Sequence, residues 1–123
     1  MERLKQRADF LAATRGRRVS ADAFVLQARA RGDAAPPRFG FTISKKVGTA
    51  TERNRVRRRL REIVRRHAAL IAENGRDYVL IGRRPALAMP FERITAEFTG
   101  AMRKLGGHDA APSTRAATTS TPR

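Results

Sequence analysis

Cysteine is absent from the 123 residues, so neither a disulfide nor a thiolate metal site is available. Tryptophan is absent as well, and tyrosine occurs once. Carboxylates are scarce: 11 Asp and Glu stand against 27 Lys and Arg, leaving a formal charge of +16. They are also scattered singly, as Asp9, Asp22, Asp33, Glu52, Glu62, Asp77, Glu92 and Glu97 show. A protein nuclease needs carboxylates converging on ions about 3.5–4 Å apart, or a histidine placed as general base. His67 falls near an apolar helix azimuth and reads as a packing residue, while His108 falls in a C-terminal tail. There is no glycine-rich phosphate loop and no Ser/His/Asp set. No apolar run approaches about 18 residues, which excludes a membrane-spanning helix, and Met1–Arg7 leads into no apolar signal segment. The expectation is a cytoplasmic protein with no membrane partner and with no catalytic or metal-ligating residue of its own.

What the chain has is positive charge, concentrated in one place. Residues 45–66 hold ten basic residues against two acidic ones, a net +8 within 22 residues. A block this dense is commonly a solvated tail, but apolar residues run through this one at helical spacing. Val56, Leu60, Ile63, Val64, Ala68 and Ile71 form one stripe of an α-helix. Thr49 as N-cap and Glu52 at N3 make a capping box, and Asn74-Gly75 supplies a stop. The predicted helix runs from about Ala50 to about Glu73. On it Asn54, Arg57, Arg58, Arg61 and Arg65 gather on one flank, and Arg55, Arg59 and Arg66 on the other. Arg53 lies over the stripe in the first turn. Guanidinium is permanently charged and offers paired donors to phosphate oxygens, which suits it to a nucleic-acid backbone. A merely solvated face would carry about as many Glu as Arg, and only Glu62 is available mid-helix.

The rest of the chain builds a support. Residues 1–8 read as a loosely held basic arm, and Asp9 as the cap of a short helix to about Arg15 with Phe10 and Ala13 inward. Alternation from Ala23 to Arg31 predicts a strand with Phe24, Leu26, Ala28 and Ala30 on one face and Gln27, Arg29 and Arg31 on the other, Val25 being the exception. Phe39, Phe41 and Ile43 share one face of the next strand; Gly40, Thr42 and Ser44 share the other. That small, hydroxylic face suits either a close nucleic-acid strand or ordinary solvent. Asp77–Arg83 is a near-continuous apolar run suited to a strand covered on both faces. Phe91, Ile94, Phe98, Met102 and Leu105 form the core stripe of a last helix, ended by Gly106-Gly107. Residues 1–105 make one α/β domain, and 106–123 a low-complexity tail expected to be disordered.

The string Phe39-Gly40-Phe41-Thr42-Ile43-Ser44-Lys45-Lys46-Val47-Gly48, followed by Arg53-Asn54-Arg55-Val56-Arg57-Arg58, resembles the signature of the bacterial ribonuclease P protein subunit. Weaker similarity covers roughly residues 3–105. The resemblance implies a small α/β sandwich with one mainly antiparallel sheet of about four strands and three helices, in the order α-β-β-β-α-β-α. It also implies an extra edge strand at Arg17–Ser20 and a left-handed crossover through the basic helix. The family's protein assists a catalytic RNA that removes the 5′ leader from precursor tRNA, using magnesium bound with the RNA. The partners implied are therefore ribonuclease P RNA and precursor tRNA, with no protein partner required.

By that resemblance Lys45, Lys46, Arg53, Asn54, Arg55, Arg57, Arg58 and Arg61 contact RNA, and Arg65 joins them by its place on the same helix flank. Phe10, Arg17, Arg18, Thr42 and Ser44 border a cleft for the single-stranded leader. Many members carry aromatics where this chain has Thr14 and Gln27, so leader contact would lean on backbone and polar groups. Charge alone equally supports a ribosomal or general RNA-binding protein, or a nucleoid protein with its basic helix in a DNA groove. The string from Phe39 to Arg58 favours ribonuclease P over both.

Overall fold

The computed structural model describes residues 2–109. In chain order these form β1 (Glu2–Arg3), α1 (Arg7–Ala13), β2 (Arg17–Ser20), β3 (Phe24–Ala30), β4 (Arg38–Ile43), α2 (Ala50–Ile71), β5 (Arg76–Gly82) and α3 (Phe91–Asp109). Short 3₁₀ turns at Lys45–Val47 and Arg84–Leu87 precede α2 and α3. The strands lie in one sheet in the order β1-β4-β5-β3-β2. β3 pairs antiparallel with β2 and β5, whereas β4 pairs parallel with β5 and β1. The helix and strand order is the expected one, with β1 added. That two-residue strand and the β4–α2–β5 connection make the sheet mixed rather than mainly antiparallel.

β5 is central because its side chains are apolar toward both faces. Tyr78 and Leu80 face the large core, and Val79 and Ile81 belong to a smaller one beneath α1. In the large core Val56, Leu60, Ile63 and Val64 of α2 meet Ile94, Phe98, Met102 and Leu105 of α3 over Phe24, Leu26 and Phe39. Phe39 stacks on Tyr78 with ring centroids 4.9 Å apart. The small core consists of Leu4, Ala13 and Val79, with Phe10 and Ile81 at its margin.

Three expectations need correction. The first residues are not a loose arm: the Leu4 amide donates to the Phe39 carbonyl at 2.8 Å, and its side chain is buried. One apolar side chain among basic ones gives too weak a periodic signal to read as structure. Asp9 does not cap α1, which starts at Arg7 behind Gln6; its carboxylate is drawn to two arginines instead. Gly106-Gly107 does not end α3, which continues to Asp109. Two glycines cost a helix about 1 kcal/mol each, and the buried Leu105 anchors the turn they enter. The expected disorder of the tail beyond residue 109 lies outside the described residues.

At the end of the sheet away from the start of α2, Asp77 is fully buried and collects three guanidinium groups. Arg38 donates two hydrogen bonds of 2.8 Å, Arg31 one of 2.7 Å and Arg29 one of 3.1 Å. Asp9 and Asp33 bind the outer sides of the same arginines. Three arginines and three aspartates thus balance, and this cluster adds nothing to the protein's excess charge.

Candidate nucleic-acid interface

The N-terminus of α2 is fixed by local chemistry. The Glu52 amide donates to Thr49 Oγ1 at 3.2 Å, and the Thr49 amide donates to Glu52 Oε1 at 2.9 Å. Gly48 lets this box close, since a Cβ there would lie 2.2 Å from Glu52 Oε1. Arg84 braces the same turn, donating to the Val47 carbonyl at 2.5 Å and standing 3.5 Å from Glu52 Oε1. The cap's backbone donation and the Arg84 guanidinium hold the Glu52 carboxyl below its ordinary range. Downstream, the stripe Val56, Leu60, Ile63, Val64 and Ala68 is buried as expected, and only its last member, Ile71, emerges.

With that stripe inward, Asn54, Arg55, Arg58, Arg61 and Arg65 are exposed, and Arg53 and Arg57 are half-buried. Among the described residues no hydrogen bond or ion pair engages Arg55, Arg57 or Arg58. Arg53 keeps a buried Nε without a partner. Arg61 lies over the Phe41 ring, 6.0 Å from its centroid. Lys45 and Lys46 are exposed in the turn just ahead. Arg65 differs from this group, because Glu62 takes it in two hydrogen bonds of 3.0 and 2.5 Å. Glu62 also accepts from Arg66 at 2.6 Å, and the two arginines push its carboxyl down to about 2.

The other flank is partly structural. Arg59 donates to the Met89 carbonyl, and both Arg59 and Arg66 lie over Phe91, 5.8 and 5.3 Å from its centroid. These contacts tie α2 to the start of α3. The free comb is therefore narrower than the sequence suggests: it consists of Arg53, Arg55, Arg57, Arg58 and Arg61.

Two concavities adjoin it. One, of about 450 Å³, is lined by Ala50, Thr51, Arg53, Asn54 and Arg57. The second is a cleft of about 560 Å³ between α1 and the sheet. Phe10 and Thr42, both expected there, line it, as do Thr14 and Gln27. Arg17, Arg18 and Ser44 do not. The two arginines sit on β2, an edge strand separated from β5 by β3, and Ser44 falls just past the end of β4. Lys5, Arg7, Leu11, Phe41 and Arg57 line the cleft without having been read from sequence. A signal for part of this set existed: Arg7, Phe10, Leu11 and Thr14 are spaced i, i+3, i+4, i+7 along α1 and its C-cap. Gly40 has a plain packing role, since a Cβ there would come within 2.5 Å of the Phe10 ring. Arg57 borders both concavities and so joins the comb to the cleft.

The division between anchor and comb has a direct check. Leu60→Ala empties a fully buried site and should cost about 2–5 kcal/mol of stability. Arg61→Ala removes an exposed side chain, so thermal melts should show it within about 0.5 kcal/mol of wild type, with RNA affinity reduced.

A family model described as Ribonuclease P matches residues 1–106. The ribonuclease P protein component of Gluconacetobacter diazotrophicus is 49% identical over 105 residues, covering 85% of this chain and 90% of that protein. Among solved structures, the Thermotoga maritima ribonuclease P protein is 31% identical with a TM-score of 0.71, over 84% of this chain and 97% of that one. The Staphylococcus aureus ribonuclease P protein is 28% identical with a TM-score of 0.72, over 85% and 95%. With the fold, the arginine comb and the Lys45-Lys46 turn in place, these matches show that the chain belongs to the ribonuclease P protein family, the protein components of the tRNA-processing ribonucleoprotein.

Proposed function

We propose that the comb of α2 binds the catalytic RNA of ribonuclease P while the cleft beside α1 receives the single-stranded 5′ leader of precursor tRNA. The observation that carries this reading is Arg57, which lines both the concavity at the start of α2 and the cleft. A nucleic acid held on the comb is thereby contiguous with one lying in the cleft. Lys45, Lys46, Arg53, Asn54, Arg55, Arg58 and Arg61 supply donors to RNA, and Arg65 contributes what Glu62 leaves free. In the cleft, Lys5, Arg7 and Arg57 supply charge and Thr42, Thr14 and Gln27 hydrogen-bonding groups. Phe10 and Phe41 are the rings on which a base can stack, a contact worth about 1–3 kcal/mol per base in single-stranded binding. Arg17, Arg18 and Ser44 are exposed outside the cleft's lining and would meet RNA only beyond its mouth.

Three carboxylates of this chain are already engaged by other groups. Asp77 is enclosed by arginines, Glu62 is bound by two, and Glu52 is committed to the cap. No group of three or more His, Cys, Asp or Glu able to hold a metal occurs among the described residues. On this reading hydrolysis, and the magnesium it uses, belong with the RNA. The protein's part is to lower repulsion between two polyanions and to hold the leader. That work takes place in the cytoplasm, alongside precursor tRNA.

The test is to add the protein to precursor tRNA at low magnesium, with and without a ribonuclease P RNA. We expect no cleavage by the protein alone and faster 5′ maturation when both are present. Cleavage by the protein alone, abolished by a chelator, would overturn the assignment.

A further inference from the structure

α1 forms one wall of the cleft through Arg7, Phe10, Leu11 and Thr14, yet little holds it in place. It is a seven-residue helix whose N-cap, Gln6, makes no side-chain hydrogen bond, and Ala13 is its one buried residue. Its apolar footing is the small core of Leu4, Ala13 and Val79, with Phe10 and Ile81 at its margin. The ionic attachment to the sheet is Asp9. One carboxylate oxygen lies 3.2 Å from Arg29 Nη2 and the other 3.4 Å from Arg38 Nη1. Arg29 belongs to β3 and Arg38 to β4, the strands on either side of β5. A single side chain thus spans the central strand and grips both of its neighbours.

The two arginines are poor candidates for free swinging donors. Each is already hydrogen-bonded to Asp77, whose side chain is fully buried. Their outward nitrogens are therefore presented at fixed positions, and Asp9 reads those positions from above. With its side chain only 19% exposed, the Asp9 carboxylate is sheltered enough for the ion pairs to resist screening better than open surface pairs do. Asp9 also immediately precedes Phe10, which packs against Gly40 on the floor of the cleft.

From this geometry we infer that Asp9 is a positioning residue: its paired bridges to Arg29 and Arg38 fix the rotation and height of α1 over the sheet, and so set the cleft's width for single-stranded RNA. The last clause rests on the leader-binding reading above. Removing the Asp9 carboxylate leaves both arginines paired with Asp77, so the sheet stays intact and the wall alone is released.

Two measurements on the full chain separate the latch from the leader reading. Because the chain lacks cysteine, Ala8→Cys and Glu92→Cys place a unique pair of spin labels on exposed positions of α1 and α3. The distance distribution should be narrow with Asp9 present and distinctly broader with Asp9→Asn. In the second, unlabelled protein is bound to a ribonuclease P RNA, and affinity is compared for precursors with one-nucleotide and five-nucleotide leaders. Asp9→Asn should reduce the gain from the longer leader by about tenfold, within the range that misplacing a binding element costs. Its affinity for the catalytic RNA alone should stay within about twofold of wild type, since the comb of α2 is untouched. An unchanged distance distribution overturns the latch. A broadened distribution with the full leader gain overturns the positioning role. If the wild type itself gains nothing from a longer leader, the leader reading fails, and the distance measurement alone decides whether Asp9 holds α1.

Discussion

Asp77→Asn is expected to lower the stability of this protein by about 3–5 kcal/mol, the usual consequence of breaking a buried ion pair from one side. The residue is fully buried at the start of β5 and accepts from Arg29, Arg31 and Arg38. These come from β3, the residue just after it, and β4, so Asp77 ties β5 to two strands that lie far from it in sequence. Asparagine keeps the shape but removes the charge facing three guanidinium groups, one of which, Arg31, is itself almost buried. For a domain of this size the loss corresponds to a fall in Tm on the order of 20 °C. Asp33→Asn removes an exposed partner of Arg31 and should shift Tm much less.

The same site sets an acid limit. Burial pushes the Asp77 carboxyl up, but hydrogen bonds from Arg38, Arg31 and Arg29 outweigh it and hold the group below its ordinary range. Stability tied to a depressed carboxyl is fully present above the unfolded value, about 3.9, and is lost as pH falls through the folded one. The wild type should therefore lose stability below about pH 4. Asp77→Asn, already lacking this contribution, should show a shallower loss over that range.

A second large effect is expected from salt. If the comb and the Lys45-Lys46 turn neutralise about six to ten phosphates, affinity for ribonuclease P RNA should fall by roughly 10³–10⁵ between 50 and 200 mM salt. On the proposed reading, that dependence would fall to the charges the fold leaves unpaired. Arg29, Arg31 and Arg38 are balanced by aspartates, Arg59 is turned to a carbonyl, and Arg65 and Arg66 share Glu62. Arg53, Arg55, Arg57, Arg58 and Arg61 remain on α2. A titration flatter than about tenfold over this range would mean that fewer than about three phosphates are contacted.

The parts of this molecule that could be read from its sequence are those set by short-range rules. The Thr49–Glu52 box spans four residues, and the α2 stripe repeats at helical spacing, so both the helix and its exposed arginines were visible. β5 was legible because an apolar run covered on both faces looks the same in any fold. The Asp77 cluster was not, since its arginines lie 39, 46 and 48 residues away in the chain; one Asp before an apolar run reads as a polar flank. Nor was β1, whose two residues make no pattern and are held by pairing with β4. Phe10 and Thr42 do line the cleft beside α1, because each lies on an element whose facing is legible from its spacing. Arg17 and Arg18 were misplaced with respect to the cleft because basic character says nothing about strand order. Only the sheet, with β3 between β2 and β5, puts them at the far edge.

The claim that the free arginines of α2 hold an RNA backbone is tested most directly by the slope of log affinity against log salt. It should be measured for the wild type and for a chain carrying Arg57→Ala, Arg58→Ala and Arg61→Ala, binding the same ribonuclease P RNA. Each phosphate contact contributes about 0.7–0.9 to that slope. The triple variant, folded as judged by its melting curve, should show a slope shallower by about 2–3. A slope equal to that of the wild type would place the RNA elsewhere on the protein and contradict the account.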